Sequence, residues 1–175
     1  MTFNSIFKMY QNGTHVPADV LASKGTRFAN FIIDYIAIII LSFVVGLILG
    51  IISELLDSYA LLDLLDSNIV FEYLFGMLMW LIYYIPFEAF TKGRTLGKYI
   101  TKTKVVTHNG MEPNIDSILV RTLCRFIPFE QFSFLGEDGK GWHDSISKTY
   151  VVDINKFESK RDTELSLEQI GKLPE

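Results

Sequence analysis

Two long apolar runs dominate the pattern of hydrophobic and polar positions along this chain. They cover residues 28–52 and 69–90, and no lysine or arginine occurs between residues 28 and 91. Each run reaches the roughly 20 residues that an α-helix needs to cross the ~30 Å hydrocarbon core of a bilayer. The pattern therefore predicts a membrane hairpin built from two spanning helices.

The charges around the hairpin predict its orientation. All sixteen basic residues lie in the flanks of the hairpin. The link between the runs, residues 53–68, carries only acidic charges, at Glu54, Asp57, Asp63 and Asp66. Because short cytoplasmic loops collect lysine and arginine, we expect a multi-pass protein with both termini in the cytoplasm and the acidic link outside.

The residues after the second run predict a cytoplasmic cap. Segment 99–107 is rich in β-favouring residues and leads to an Asn-Gly turn, and segment 148–153 nearly repeats its Lys-Thr-x-Val-Val pattern. We expect these two short strands to pair with each other. Between them, residues 114–127 follow the spacing of an amphipathic interfacial helix, with Arg121 and Arg125 together on one side.

The predicted fold class is therefore an α-helical membrane protein. Residues 1–153 form one domain, in which a two-span hairpin carries a cap of one amphipathic helix and two strands. Residues 154–175 mix charges with few large apolar residues, which predicts a charged tail that is mobile or a short surface helix.

Ionisable residues in or next to the spans are the strongest site candidates, because a charge at membrane depth costs several kcal/mol and faces protein or water. Seven positions separate Arg27 from Asp34, which places them on one helix face about 10 Å apart along the axis. We expect Arg27 to pair with Glu88, near the end of the second span. Arg121 and Arg125 then reach either lipid phosphates or Asp34 and Glu88.

Asp34 has two interpretations from sequence. A carboxylate in this position is a proton or cation site, or it is a structural polar lock between helices. The residues alone favour the lock slightly, since two spans offer few further polar groups.

Small residues indicate where a helix surface permits close approach. Ser42, Gly46 and Gly50 recur at four-residue intervals on the first span, and Gly76 lies on the second. Such a face packs another helix closely. It predicts either packing inside the hairpin or a homo-oligomer, and both alternatives stay open.

The catalytic patterns that parts of the chain suggest are all incomplete. The Gly-Lys pair at Gly97 and Lys98 lies one residue too close to Gly93 for a phosphate-binding loop, and Tyr99 replaces the hydroxyl that binds magnesium. A single cysteine, Cys124, leaves no thiol pair, and three scattered histidines do not form a metal cluster. We expect no enzymatic activity, no cofactor, no metal and no nucleic-acid partner.

Three motifs together resemble those of the RDD family of bacterial membrane proteins. They are segment 22–28 leading to Asp34, the stretch Gly93-Arg94-Thr95-Leu96-Gly97-Lys98 before a Val-Val strand, and Trp142-His143-Asp144-Ser145 before a second one. The resemblance covers residues 21–153. The family is named for an arginine at the start of its first span and two aspartates, which correspond here to Arg27, Asp34 and Asp144.

The resemblance implies a protein of the bacterial cytoplasmic (inner) membrane whose molecular activity is unassigned. One hypothesis is an accessory or scaffolding component of a membrane assembly, in which Arg27, Asp34 and Asp144 hold helices and cap together. The alternative is Na⁺/K⁺–proton antiport by an oligomer that uses Asp34, as some family members resemble antiporters. Further candidates for partners of these charges or for an ion site are Glu88, Arg121, Arg125 and His143.

Two kinds of partner are expected. Anionic lipid headgroups suit the cations that follow the second span, at Lys92, Arg94, Lys98, Lys102 and Lys104. A second copy of the chain or another membrane protein suits the hairpin, since two spans do not enclose a pathway.

Overall fold

The computed structural model describes residues 16–136 and 140–170 of the 175-residue chain. Its helices and strands in chain order are α1 (Lys24–Leu55), α2 (Ala60–Ser67), α3 (Ile69–Phe90), α4 (Leu96–Ile100), β1 (Thr103–Thr107), α5 (Ile115–Cys124), α6 (Trp142–Ile146), β2 (Thr149–Asp153) and α7 (Ile154–Ile170). Short 3₁₀ turns occupy Ala18–Val20 and Glu130–Leu135.

Helices α1 and α3 are long and apolar enough to cross a membrane. Only 11% of the most apolar stretch of α1, and 17% of that of α3, is buried inside the protein. The core helix of a water-soluble domain would be mostly buried, so these exposed apolar surfaces favour contact with lipid. Both predicted spans are thus present as candidates, α3 with its predicted bounds and α1 about one turn longer at each end.

Polar side chains define where the helices begin. The Oγ of Ser23 accepts a hydrogen bond from the backbone N–H of Thr26 at 3.1 Å, ahead of α1. Asn68 does the same for Val70 at 2.9 Å, ahead of α3. Such caps satisfy backbone donors that a helix leaves free in its first turn.

The two strands pair antiparallel, which confirms the prediction drawn from their repeated pattern. Val105 lies opposite Val151 in the register, and Leu21 extends the ladder by a bridge to Val152. The inward valines of both strands are buried, and Phe157 of α7 packs against them. The sheet thus joins the start of the chain to its last helix.

Residues 96–100 form the short helix α4, whereas segment 99–107 was predicted as strand throughout. Thr95 caps this helix by accepting from the backbone N–H of Lys98 at 3.4 Å. Strand β1 accordingly begins only at Thr103. The helix inserts between the end of α3 and the strand, and it packs on α1.

Helix α5 presents its arginine side to the protein and its apolar side outward. Arg121 and Ile118 are buried, whereas Ile115 and Leu123 are exposed. This arrangement is the reverse of a helix on a water-soluble domain. It suits a helix that lies along a membrane interface, as predicted for residues 114–127, although the helix itself ends at Cys124.

The predicted charged tail begins with helix α7. Lys160 of this helix contacts Asp19 at 2.7 Å, and Glu158 contacts Lys104 at 3.3 Å. These ion pairs attach α7 to the cap. Residues 171–175 of the predicted tail lie outside the described residues, and mobility of the tail stays a prediction.

The spans meet near the cap and separate toward the link. Ile38 of α1 packs with Met79, Tyr83 and Tyr84 of α3 in a buried cluster. In contrast, a side chain added at Gly46, Gly50 or Gly76 would meet nothing within 4 Å. The face of Ser42, Gly46 and Gly50 and its expected counterpart Gly76 therefore do not pack together inside one chain, and the homo-oligomer alternative stays a prediction.

Candidate functional site

One face of the first turns of α1 carries buried polar residues. Arg27, Asn30 and Asp34 follow each other at helical spacing, and all three are more than nine-tenths buried. Polar groups buried to this degree in proteins nearly always have hydrogen-bond partners. The partners identify which elements assemble around this face.

Asp34 accepts three hydrogen bonds, all from uncharged donors. The Tyr83 hydroxyl donates to Oδ1 at 2.7 Å and the Thr95 hydroxyl to Oδ2 at 2.6 Å. The backbone N–H of Gly97 donates to Oδ1 at 2.7 Å. Asp34 thus joins α1 to α3 and to α4, and the expected donation from Arg121 or Arg125 is absent.

Gly97 permits this close approach of α4 to α1. A Cβ at this position would lie 2.5 Å from the carbonyl oxygen of Asn30 and 2.9 Å from its Cα. Both atoms are backbone, so no side-chain movement would relieve the contact. Asn30 itself donates to the Thr103 hydroxyl at 3.0 Å and accepts from that of Thr101 at 2.5 Å.

Asp144 joins its own helix, α6, to α1 and α5. Its Oδ2 accepts from Arg27 of α1, and its Oδ1 accepts from Arg121 of α5 at 2.5 Å. The Nε2 atom of His143 lies 3.3 Å from Oδ1. Burial alone would raise the pKa of Asp144, but the neighbouring His143, Arg121 and Arg27 hold it well below its usual range.

Glu88 pairs with Lys98, not with Arg27 as expected. The Lys98 Nζ lies 2.5 Å from Glu88 Oε1, because α4 places this lysine directly over the end of α3. Arg121 and Arg125 approach the same carboxylate at 3.6 and 3.7 Å. Burial lowers the pKa of Lys98 to about 8. The charge of Glu88 opposes this shift, whereas the charges of the two arginines add to it.

A second buried pair, His143 and Glu130, lies next to the pair of Glu88 and Lys98. The imidazole Nδ1 of His143 contacts the carboxylate of Glu130, which lies in the 3₁₀ turn after α5. Burial would raise the pKa of Glu130, but the hydrogen bond and charge of His143 and the charge of Arg125 lower it. The guanidinium of Arg125 also lies over the Tyr84 ring, 4.2 Å from its centroid.

These contacts define one unit, which we call the buried charged cluster. It contains four carboxylates and four permanent or near-permanent cations: Asp34, Glu88, Glu130, Asp144, Arg27, Lys98, Arg121 and Arg125. Each carboxylate in it is held by neighbouring cations or by several hydrogen-bond donors, which is what allows these charges to be buried together. The elements that supply them are α1, α3, α4, α5, the second 3₁₀ turn and α6.

A cavity of about 40 Å³ lies inside the buried charged cluster. A water molecule needs at least about 10–15 Å³, so the cavity accommodates only a few molecules of that size. Organic ligands occupy sites of roughly 300–1,000 Å³ and are excluded. Four cations and two carboxylates line the cavity, and this excess of positive charge disfavours a metal cation there: Arg27, Lys98, Arg121, Arg125, Asp34 and Glu130.

No group of three or more histidine, cysteine, aspartate or glutamate side chains in the part of the chain that the structure describes is arranged to hold a metal ion.

A comparison with known protein families covers the residues of the buried charged cluster. The model of the RDD family matches residues 21–148, about three quarters of the chain. The chain belongs to the RDD family. RDD proteins are membrane proteins, and this one is too.

The RDD match confirms the resemblance seen in the sequence motifs. Its span includes the whole buried charged cluster. The chain matches no curated protein and no solved structure. The structure of the cluster is therefore the main guide to what this RDD protein does.

The three residues that give the RDD family its name have different partners within the buried charged cluster. Arg27 and Asp144 contact each other directly. Asp34 lies deeper along α1 and bonds to the uncharged donors described above. The arginine and second aspartate thus join the helices to the cap, whereas the first aspartate joins α4 to the spans.

The Gly-Arg-Thr-Leu-Gly-Lys stretch positions the cluster from outside the spans. Gly93 adopts φ +88°, and a Cβ there would lie 2.9 Å from Pro113 and 3.0 Å from Val105. Its backbone N–H donates to the carbonyl of Glu88 at 2.8 Å, which turns the chain sharply after α3. The Arg94 guanidinium lies over the Tyr99 ring at 5.3 Å, outside the cluster.

Sequence reasoning missed four residues of the site. Thr95 was detectable as a cap residue ahead of a helix, and Asn30 as a polar position on the stripe between Arg27 and Asp34. Tyr83 sits among many apolar aromatics and Glu130 in an irregular segment. Neither of these two positions carries a local signal.

Proposed function

We propose that this RDD protein is an accessory or scaffolding component of a membrane assembly, and that its buried charged cluster fixes a rigid cap on the spans. One observation carries this proposal. Both oxygens of Asp34 and both oxygens of Asp144 are engaged, and each carboxylate joins three separate elements. A group used in this way acts as a structural lock.

The antiport alternative receives no support from this geometry. A carrier carboxylate has to release its ligands and meet water or ions in turn. Asp34 is buried against three donors, and more cations than carboxylates line the small cavity beside it. Hard cations instead require several oxygen ligands.

The proposed partners are a second copy of the chain or another membrane protein. Most of the surface of both spans faces outward, and the glycines of the first span leave open space beside them. Helices associate in lipid through small residues that let backbones approach. A scaffold of this kind would present its spans to neighbours and its cap to the cytoplasm.

The orientation belongs to the same proposal: cap and termini in the cytoplasm, acidic link outside, in the bacterial inner membrane. Ser58→Cys in the link and Lys148→Cys in the cap place a thiol on each side, in a Cys124→Ser background. A membrane-impermeant maleimide should label intact cells only through Ser58→Cys. Labelling through Lys148→Cys alone would reverse the orientation.

The decisive test compares ion movement with folding. Wild type, Asp34→Asn and the control Asp66→Asn, which changes an exposed acid of the link, are reconstituted into sealed liposomes with a trapped pH dye. Sodium or potassium is then added. We expect no proton movement in any of them, and a lower unfolding temperature for Asp34→Asn alone, because the amide that replaces the carboxylate cannot accept from all three donors.

Size-exclusion chromatography and the unfolding curve establish that each variant is folded before the flux is measured. A cation-driven proton flux in wild type that disappears in folded Asp34→Asn would overturn the scaffold. It would make Asp34 the exchange site.

A further inference from the structure

A large groove lies at the end of α3, separate from the buried charged cluster. Its volume is about 650 Å³, within the range of small-molecule sites. The end of α3, helix α4, strand β1 with its following turn, and α7 form its walls. No role in the scaffold depends on this groove.

The groove is strongly basic. Four cations and one acid line it, which gives a net charge of 4 − 1 = +3, from Lys92, Arg94, Lys104, Arg161 and Glu112. Such an excess attracts an anion.

The acids near the groove compensate these cations only in part. Lys92 lies 3.2 Å from Glu112, Lys104 lies 3.3 Å from Glu158, and Arg161 lies 3.9 Å from Asp162. Among the described residues, no carboxylate lies within 4 Å of the Arg94 guanidinium, which instead covers the Tyr99 ring. Arginine presents a planar fork of donors that matches phosphate oxygens, so Arg94 is the best-suited ligand of the four.

The groove opens beside apolar residues at the end of a membrane span. Phe90, the last residue of α3, is 88% exposed, and Ile100 of α4 is 67% exposed. Tyr99 lies between the two and is also exposed. Cations next to exposed aromatic and aliphatic side chains are the combination found where a protein meets lipid headgroups.

We propose that this groove binds the phosphate-bearing headgroup of an anionic phospholipid. Arg94 and Arg161 contact the phosphate, and the acyl chains lie against Phe90 and the exposed side of α4. A lipid is favoured over a soluble phosphate compound, because the apolar rim continues directly from α3 and would be of no use to a ligand without acyl chains. The proposal requires only that α3 ends at a membrane interface.

The test measures how tightly single lipids bind to the full-length protein in detergent by native mass spectrometry. Phosphatidylglycerol is the probe, and phosphatidylcholine is the zwitterionic comparison. The variant Arg94→Gln/Arg161→Gln should weaken the first phosphatidylglycerol site roughly thirtyfold, from about 1 kcal/mol for each cation. Phosphatidylcholine binding should not change.

Two matched variants separate the groove from overall charge. Lys148→Gln/Lys156→Gln removes the same charge from exposed positions outside the groove and should leave the first site intact. Arg94→Lys/Arg161→Lys keeps the charge but loses the fork of donors, and should weaken the first site less than Arg94→Gln/Arg161→Gln does. Unfolding temperatures equal to wild type establish that the variants are folded.

Three outcomes would overturn the proposal. The first is equal loss of phosphatidylglycerol in the groove variant and in the lysine control, which would mean a diffuse charge effect. The second is equal affinity for phosphatidylcholine and phosphatidylglycerol in wild type. The third is displacement of the lipid by millimolar inorganic phosphate, which would make the groove a site for a soluble anion.

Discussion

The two ends of the hairpin are built on opposite principles. At the cap end, which comprises the buried charged cluster and the elements that supply it, polar groups of six elements contact each other. At the link end, which comprises residues 42–78, the helices expose most of their apolar side chains and the glycines have open space beside them. Polar contacts between elements are therefore concentrated where the spans meet the cap, and exposed apolar surface is concentrated at the other end.

Because of this difference, the same kind of residue has different contacts at the two ends. A glycine or an acid at the cap end is fixed by several neighbours, whereas one at the link end contacts little of its own chain. Substitutions at the two ends should therefore differ in what they disturb. The cap end should respond in folding, and the link end in association.

The largest effect is expected from Asp144→Asn. The change leaves Arg27 and Arg121 buried with less negative charge, and breaking one partner of a buried pair costs about 3–5 kcal/mol of unfolding free energy. Denaturant unfolding in detergent measures it. Asp66→Asn in the link is the control and should lie within about 0.5 kcal/mol of wild type. Equal effects of the two changes would remove the contrast between the ends.

A smaller effect is expected from a methyl group at Gly97. Gly97→Ala forces the backbones of α4 and α1 apart, and overpacking of this kind costs roughly 1–3 kcal/mol. Gly46→Ala is the matched control, since it adds the same methyl group to open space in a helix. Unfolding temperatures should fall for the first variant and stay level or rise for the second. A neutral Gly97→Ala would refute the close approach of α4.

Acid should loosen the cap end selectively. The pKa values of Asp144 and Glu130 are lowered in the folded protein, so their stabilisation is present above the unfolded values of about 4 and is lost as the pH falls below them. The slope is at most about 1.4 kcal/mol per pH unit for each group. Fluorescence of Trp142 in Trp80→Phe should change below pH ~4, whereas that of Tyr73→Trp in Trp80→Phe/Trp142→Phe, at the link end, should change less. A Trp142 signal that stays constant down to pH ~2 would contradict the expectation.

The smallest effect on folding, and the sharpest on association, is expected at the link end. Gly46→Leu/Gly50→Leu should leave the unfolding free energy within about 0.5 kcal/mol, because no atoms of the chain lie nearby. If the first span contacts a neighbour through this face, the same variant shifts the protein to a smaller species in light scattering. Ile40→Leu/Ile48→Leu on another exposed face of α1 is the control. An unchanged assembly would place the contact elsewhere.

Sequence periodicity predicted the spans and the strand pairing because both signals are local and repeated. The apolar run of residues 69–90 matches α3 in its bounds, and the duplicated Val-Val pattern matches the register of Val105 and Val151. Such features depend on neighbouring positions alone.

The pairing of charges could not be predicted, because it depends on where a five-residue helix inserts. Without α4, Arg27 was the nearest expected cation for Glu88. In the structure Lys98 pairs with Glu88 instead, and Thr95 and Gly97 donate hydrogen bonds to Asp34. Five residues are too few for a periodic pattern. The only sequence signal of α4, the helix that determines these pairings, is therefore its capping residue, Thr95.

The contact between Arg27 and Asp144 also constrains the order of events during synthesis. The two residues are 117 positions apart. At about 5–20 residues per second, the ribosome makes Arg27 roughly 6–23 s before Asp144. The first span is therefore complete before the carboxylate that pairs with its arginine has been made, and a chain that stalls before residue 144 lacks that pair.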